Sequence, residues 1–126
     1  MTQEEKQLLL KDIAARVPYG VKCQTKNGIG TLISIECSFG ENLAYVDFGH
    51  PEVEEYDLND GDTVKPYLRP MSSMTEEERK EYVATYGVWY ETVETFDWLI
   101  AHHFDYRGLI EKGLAMEAPE DMYKIK

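Results

Sequence analysis

The chain has 126 residues, 43% of them hydrophobic and 29% charged, which is the composition of one folded domain with enough apolar material for a core. Its formal net charge is −11 at pH 7 and no segment gathers Lys and Arg, which disfavours direct nucleic-acid binding by phosphate neutralisation. No apolar run exceeds four residues, against the roughly 20 of a membrane-spanning helix, so a spanning role is excluded.

The opening Met1-Thr2-Gln3-Glu4-Glu5-Lys6 is polar and acidic rather than a basic segment leading into an apolar one. It reads as no secretory signal, and a cytoplasmic protein is expected. Thr2 with Glu4 and Glu5 marks a helix start, and Leu9, Leu10, Ile13, Ala14 and Val17 recur at helical steps until Pro18 and Gly20. The spacing predicts a helix over 3–16 whose apolar stripe lies on another element, because a helix this short is not stable alone.

From Val21 the hydrophobic period changes to two. Val21, Cys23 and Thr25 share one face, and a three-residue loop Asn27-Gly28-Ile29 would set Cys23 opposite Ile33 and Val21 opposite Ile35. That register predicts a hairpin with Gly28 left-handed, a bulge beside it, and both isoleucines turned inward. The next strand puts Ala44, Val46 and Phe48 on one face. In the run from Val53 to Leu58, Tyr56 and Leu58 face in against outward Val53, Glu55 and Asp57. A turn is expected over 59–63, then a short strand over 64–68 in which Pro66 calls for an edge or a bulge.

Thr75 and Glu78 have capping-box spacing, so a second helix starts at Thr75, shows Arg79, Tyr82, Val83 and Tyr86 on one side, and ends at Gly87. A third helix over about 91–103 carries Val93, Phe96, Ile100 and Phe104 at helical spacing. Residues 105–114 read as a turn and a short helix, and a frayed end is expected past Pro119. The whole reads as one α+β domain over 1–126: an N-terminal helix (1–18), a small antiparallel SH3-like β-barrel of about five strands (19–70), and a C-terminal helical segment (75–118).

The candidate chemistry is thin. Gly28-x-Gly30 sits in a hairpin with no following helix, so turn glycines explain it better than phosphate binding. His102, His103 and Asp105 form a polar cluster, but adjacent helical residues point about 100° apart, unlike the i, i+4 pair of a metal site. Capping of the helix end by the imidazoles, with Asp105 starting the next turn, is the simpler reading, and no catalytic, metal or cofactor site is expected. Cys23 and Cys37 lack any C-x-x-C or Cys/His partner and are expected to be buried reduced thiols. Glu52, Glu54, Glu55, Asp57, Asp60 and Asp62 lack calcium-loop spacing and read as a solvated sheet edge guarded against aggregation.

Eight of the 15 aromatic residues fall between Tyr82 and Tyr106, more than one helix face buries. Trp89, Tyr90 and Trp98 are therefore the candidates for a partner surface, against the reading that they seal the junction of helix and barrel.

Val64-Lys65-Pro66-Tyr67-Leu68-Arg69-Pro70 running on to Met74-Thr75-Glu76-Glu77-Glu78, together with His103-Phe104-Asp105-Tyr106-Arg107-Gly108-Leu109-Ile110 running on to Ala115, resembles an uncharacterised family of small phage- or mobile-element-associated proteins from gut anaerobic bacteria. The resemblance implies a context and carries no activity or ligand. Residues 21–58 are similar to the SH3-like or Tudor-like barrels appended to helicases and transcription factors, through Gly28-Ile29-Gly30 and Val46-Asp47-Phe48.

The expected function is a non-enzymatic protein-binding or adaptor module whose partner is another protein, a basic one among the candidates, with no membrane and no cofactor. The alternative is an acidic inhibitor, or nucleic-acid mimic, acting on a nucleic-acid-binding protein.

Overall fold

The computed structural model describes residues 2–49, 53–59, 64–87 and 91–123. Its elements are helix α1 (Gln3–Arg16), strands β1 (Lys22–Thr25), β2 (Gly28–Ser38), β3 (Glu41–Asp47), β4 (Val53–Asp57) and β5 (Val64–Leu68), helices α2 (Glu76–Ala84) and α3 (Val93–Ala101), and a short strand β6 (Met116–Glu117). The chain is thus α+β. One six-stranded sheet has the order β4-β3-β2-β1-β5-β6, antiparallel throughout except for the β5–β6 pair.

A reciprocal capping box starts α1: Thr2 Oγ1 accepts from the Glu5 amide at 3.1 Å, and Glu5 Oε1 accepts from the Thr2 amide at 2.8 Å. The helix buries Leu9 and Ile13, as the apolar stripe requires. The same face also buries Asp12 and Arg16, whereas Ala14 is exposed. Leu9 and Ile13 pack with Val21, Cys23, Leu32, Ala44, Val46, Tyr56 and Val64 from the sheet and with Leu109 and Leu114 from the C-terminal segment.

The first hairpin departs from its expected register. Cys23 faces Gly30, and Thr25 faces Gly28, so the loop is Lys26-Asn27. Thr25 Oγ1 accepts from the Asn27 amide at 3.1 Å and donates to the Gly28 carbonyl at 2.9 Å, and this side-chain clasp favours a two-residue loop that moves the partner of Cys23 three residues, from Ile33 to Gly30. Gly28 has the expected positive φ, at 118°. The irregularity in β2 lies farther along, where Leu32 faces Val46 but Ser34 faces Tyr45, leaving Ile33 extra. Leu32 therefore turns inward in place of Ile33, which is exposed. Past the bulge Ile35 faces Ala44 and packs against the core, as expected. Gly30 is no turn residue: a Cβ there would lie 2.5 Å from Val46 Cγ1 and 2.9 Å from the Asp47 carbonyl oxygen, so only glycine lets β3 come this close.

Strand β4 alternates as its sequence demands, with Tyr56 and then Leu58 buried and Val53, Glu55 and Asp57 in water. Although β4 lies three places from β1 in the sheet, about 14 Å at ladder spacing, Tyr56 Oη is 3.2 Å from Thr25 Oγ1 and 2.9 Å from Asn27 Nδ2. The sheet is curled to bring these together. Of the turn expected over 59–63 and the acids on either side of β4, residues 60–63, with Asp60 and Asp62, and Glu52 lie outside the described residues.

Pro66 sits inside the sheet rather than at its rim, buried opposite Cys23. It is tolerated because β6 pairs only with Tyr67 and Leu68, so among the described residues no strand requires an amide from Pro66 on that side. The next rung, Lys22 opposite Tyr67, is occupied by a side chain from the far end of the chain. Tyr123 Oη accepts from the Lys22 amide at 2.9 Å and donates to the Tyr67 carbonyl at 2.7 Å. The segment past Pro119 is thus docked rather than frayed as far as Tyr123.

Helix α2 opens on the expected Thr75/Glu78 capping box and stops at Ala84. Helix α3 runs over Val93–Ala101, shorter than its hydrophobic spacing suggests, because His102 and His103 leave helical geometry and His103 takes a φ of 65°. Residues 105–114 form successive turns without a helix. No described helix is long and apolar enough to cross a membrane.

Candidate protein-interaction surface

A seam of hydrogen bonds ties the end of α3 to the sheet. The Arg69 amide donates to the His103 carbonyl and the Asp105 amide to the Arg69 carbonyl, each at 2.8 Å. The Arg69 guanidinium lies 4.2 Å from the centre of the Phe104 ring and grips Glu78 with two bonds of 2.8 and 2.7 Å, which holds the Glu78 carboxyl down at about 2. The start of α2 and the end of α3 are thereby fixed to one cation.

Beneath the seam lies an ionic cluster that sequence reasoning missed. Arg16 donates to Asp12 through Nε at 2.8 Å and Nη2 at 3.1 Å, and Nη2 also donates to the Phe104 carbonyl at 2.7 Å. Arg107 Nε, itself a buried atom, approaches Asp12 Oδ1 at 3.4 Å without completing a hydrogen bond. Arg16 is wholly buried, and its Nη1 finds no hydrogen-bond partner among the described residues. The available signal was an acid and a base four residues apart inside the Leu9/Ile13 stripe, where a solvated pair has no place.

His102, His103 and Asp105 are not brought together into a site. His102 Nδ1 is 2.9 Å from the Trp98 carbonyl and its ring stacks on the Trp98 indole at 4.1 Å. His103 stacks on the Tyr123 ring at 3.7 Å; burial first, and then the Arg16, His102 and Arg69 charges, push its pKa down to about 4. Asp105 accepts from the Leu109 and Ile110 amides at 2.8 and 2.9 Å, starting the next turn as expected. Among the described residues no three His, Cys, Asp or Glu side chains are arranged to hold a metal ion. Cys23 is buried, which pushes its thiol up to about 12, whereas Cys37 is exposed, against expectation, because the second half of β2 turns it away from the core.

Trp98 is half-buried. Its ring lies 5.8 Å from Tyr82 and 5.8 Å from Phe104, in a small cluster with Met74 and Leu99, so it secures α3 to α2 more than it projects outward. Trp89 and Tyr90 lie outside the described residues. Among the described residues of α2, α3 and their flanks, the exposed apolar side chains are Val93 at 72%, Val83 at 54%, Phe96 at 40% and Tyr86 at 37%. The expected apolar face of α3 turns out to be split, with Ile100 and Phe104 inside and Val93 and Phe96 at the rim. No residue of α2 is buried.

The end of α2 and the start of α3 are nonetheless bonded to each other. Thr92 Oγ1 and Thr95 Oγ1 donate to the Thr85 carbonyl at 3.0 and 3.2 Å, Thr85 Oγ1 donates to Thr95 Oγ1 at 3.0 Å, and Tyr82 Oη donates to Glu91 at 2.9 Å. Tyr82 is packed edge-on to Tyr86 at 5.3 Å, and burial raises its phenol pKa. Exposed apolar groups therefore sit on a braced helical pair, not on a loose tail. Comparison with protein-family models, with curated proteins and with solved structures finds no match.

Proposed function

We propose that this chain is a non-enzymatic protein-binding module: an SH3-like barrel bearing a helical pair whose outer surface contacts another protein. The observation that carries this reading is α2 and α3, joined by a hydrogen-bonded threonine clasp, with Val83 and Val93 largely in water and Tyr86 and Phe96 partly so, Phe96 resting on the Tyr106 ring at 5.4 Å. Apolar and aromatic groups presented on a rigid support bind with little ordering cost, which is the usual design of a partner surface.

The barrel reading is supported by β1 to β4 following one another in sheet order, by β5 returning beside β1, and by the Tyr56–Thr25 contact that curls the sheet. The module would work in the cytoplasm, where thiols stay reduced, and the mobile-element context is kept as part of the proposal.

The test is affinity purification with Val83→Lys combined with Val93→Lys, the two most exposed apolar positions of the helical pair. The variant is expected to retain its melting temperature and lose its partner at least tenfold relative to wild type. Undiminished partner recovery overturns the assignment to this surface. The net charge of −11 supports a second reading, an acidic inhibitor seated in a basic groove. In that case affinity falls steeply with added salt, whereas an apolar contact is nearly indifferent to it.

A further inference from the structure

Strands β2 and β3 are joined by the two-residue turn Phe39-Gly40, in which both residues have positive φ, 50° and 79°. This is the pattern of a type I′ hairpin turn, a place suited to Asn-Gly or Gly-Gly and strained for a bulky aromatic. The Phe39 side chain gains nothing from the fold in return, since it is fully exposed. The tip is nevertheless firmly held: Asn59 Nδ2 donates to the Gly40 carbonyl at 3.1 Å, Asn42 Nδ2 donates to Asn59 Oδ1 at 3.3 Å, and the Leu58 amide donates to the Asn42 carbonyl at 2.8 Å. Along the hairpin, residues 36–41 carry Glu41 next to the turn and Glu36 three residues before Phe39, both exposed, with Glu36 accepting from Tyr45 Oη at 2.8 Å, and no base.

We propose that Phe39 is a docking anchor, an aromatic knob on a rigid hairpin that inserts into an apolar pocket of a partner protein rimmed by Lys or Arg. The strained backbone at Phe39 costs the fold stability, and a ring left in water returns none of it by burial; such costs are retained where they serve binding. Preorganisation of the tip lets the ring be buried without ordering a loop, and the carboxylates carried on the same hairpin, Glu41 next to the turn and Glu36 farther along the strand, choose a basic rim over an acidic one and are repelled by an anionic bilayer. The inference rests on the protein-binding reading above but names a different surface, the β2–β3 turn instead of α2 and α3.

The experiment places a photo-crosslinking benzoylphenylalanine at position 39 in one sample and at position 93 in another, in cells of the source organism. Cross-linked peptides are identified by mass spectrometry, and the captured protein, purified, is titrated against wild type, Phe39→Asn, and Glu36→Lys with Glu41→Lys. The expected result is a cross-link from position 39 to an apolar pocket bordered by bases and affinity at least tenfold weaker for Phe39→Asn. The double charge reversal is likewise weaker, with its loss shrinking as salt is raised. Because Asn suits positive φ, Phe39→Asn should melt about 3–5 °C above wild type, and a variant that melts lower overturns the inference by making Phe39 a structural residue. A cross-link from position 93 but none from 39 overturns it while leaving the protein-binding reading intact, and silence at both positions overturns both. Capture of lipid or of a second copy from position 39 also overturns it.

Discussion

Replacing Tyr123 with Phe removes one oxygen atom and tests whether the C-terminal segment closes the sheet. The hydroxyl stands where a ladder hydrogen bond would be, accepting from the Lys22 amide at 2.9 Å and donating to the Tyr67 carbonyl at 2.7 Å, with Lys22 half-buried and Tyr67 buried. The substitution keeps the ring, and with it the stack on His103, so only the two hydrogen bonds are lost. Each is worth about 1 kcal/mol net, and the orphaned amide and carbonyl between two strands add a desolvation cost, giving about 2–3 kcal/mol. For a chain of this length that corresponds to a fall in melting temperature of roughly 10 °C. Calorimetry gives the magnitude, and hydrogen exchange read at single amides gives the place: protection should fall selectively at Lys22. A loss below about 2 °C with the Lys22 amide still protected would refute the reasoning, because another group would then be satisfying that rung.

Three further outcomes follow from the same geometry. His103 is held near a pKa of about 4 against an ordinary 6.5, so the folded state binds fewer protons than the unfolded state between these values. Stability is therefore full above pH 6.5 and declines as pH falls toward 4, by about 2 kcal/mol after allowance for partial solvent screening; His103→Gln should flatten the stability–pH curve in that window, while the loss below pH 4.5 from the Arg69–Glu78 pair persists. Gly30→Ala should destabilise by about 2–3 kcal/mol in a denaturant titration, because the backbone oxygen of Asp47 at 2.9 Å cannot swing aside as a side chain would. Arg16→Met should cost about 3–5 kcal/mol by leaving Asp12 charged and buried, and Asp12→Leu in the same chain should recover much of that loss in the same titration.

What the sequence disclosed was what local chemistry decides. Thr2 with Glu5 and Thr75 with Glu78 announce helix starts because the capping partners lie three residues apart and need nothing else. The alternation through Tyr56 and Leu58 announces a half-buried strand for the same reason. The register of β1 against β2 was not legible in this way, since the Asn27-Gly28 signal competes with a clasp from Thr25 and the compensating bulge at Ile33 is set by β3, a different strand. Trp98 shows the same limit: an aromatic residue in a helix reads equally as anchor or as filler until Tyr82 and Phe104 are placed around it. The burial of the Asp12–Arg16 pair depends on a third partner, the Phe104 carbonyl, which lies 88 residues away and leaves no mark on the local sequence.

The Tyr123 bridge also bears on how the protein acquires its shape. Strands β1 to β4 meet neighbours close along the chain and can associate quickly. The hydrogen bonds of Tyr123, by contrast, span 101 and 56 residues, so their entropic cost falls due only after the earlier strands are in place. The last-formed part of the structure is then the one stacked on His103, whose pKa burial pushes down to about 4. A partly opened form, with the end of the chain lifted and the first strands intact, becomes the natural first excursion from the native state when conditions turn mildly acidic.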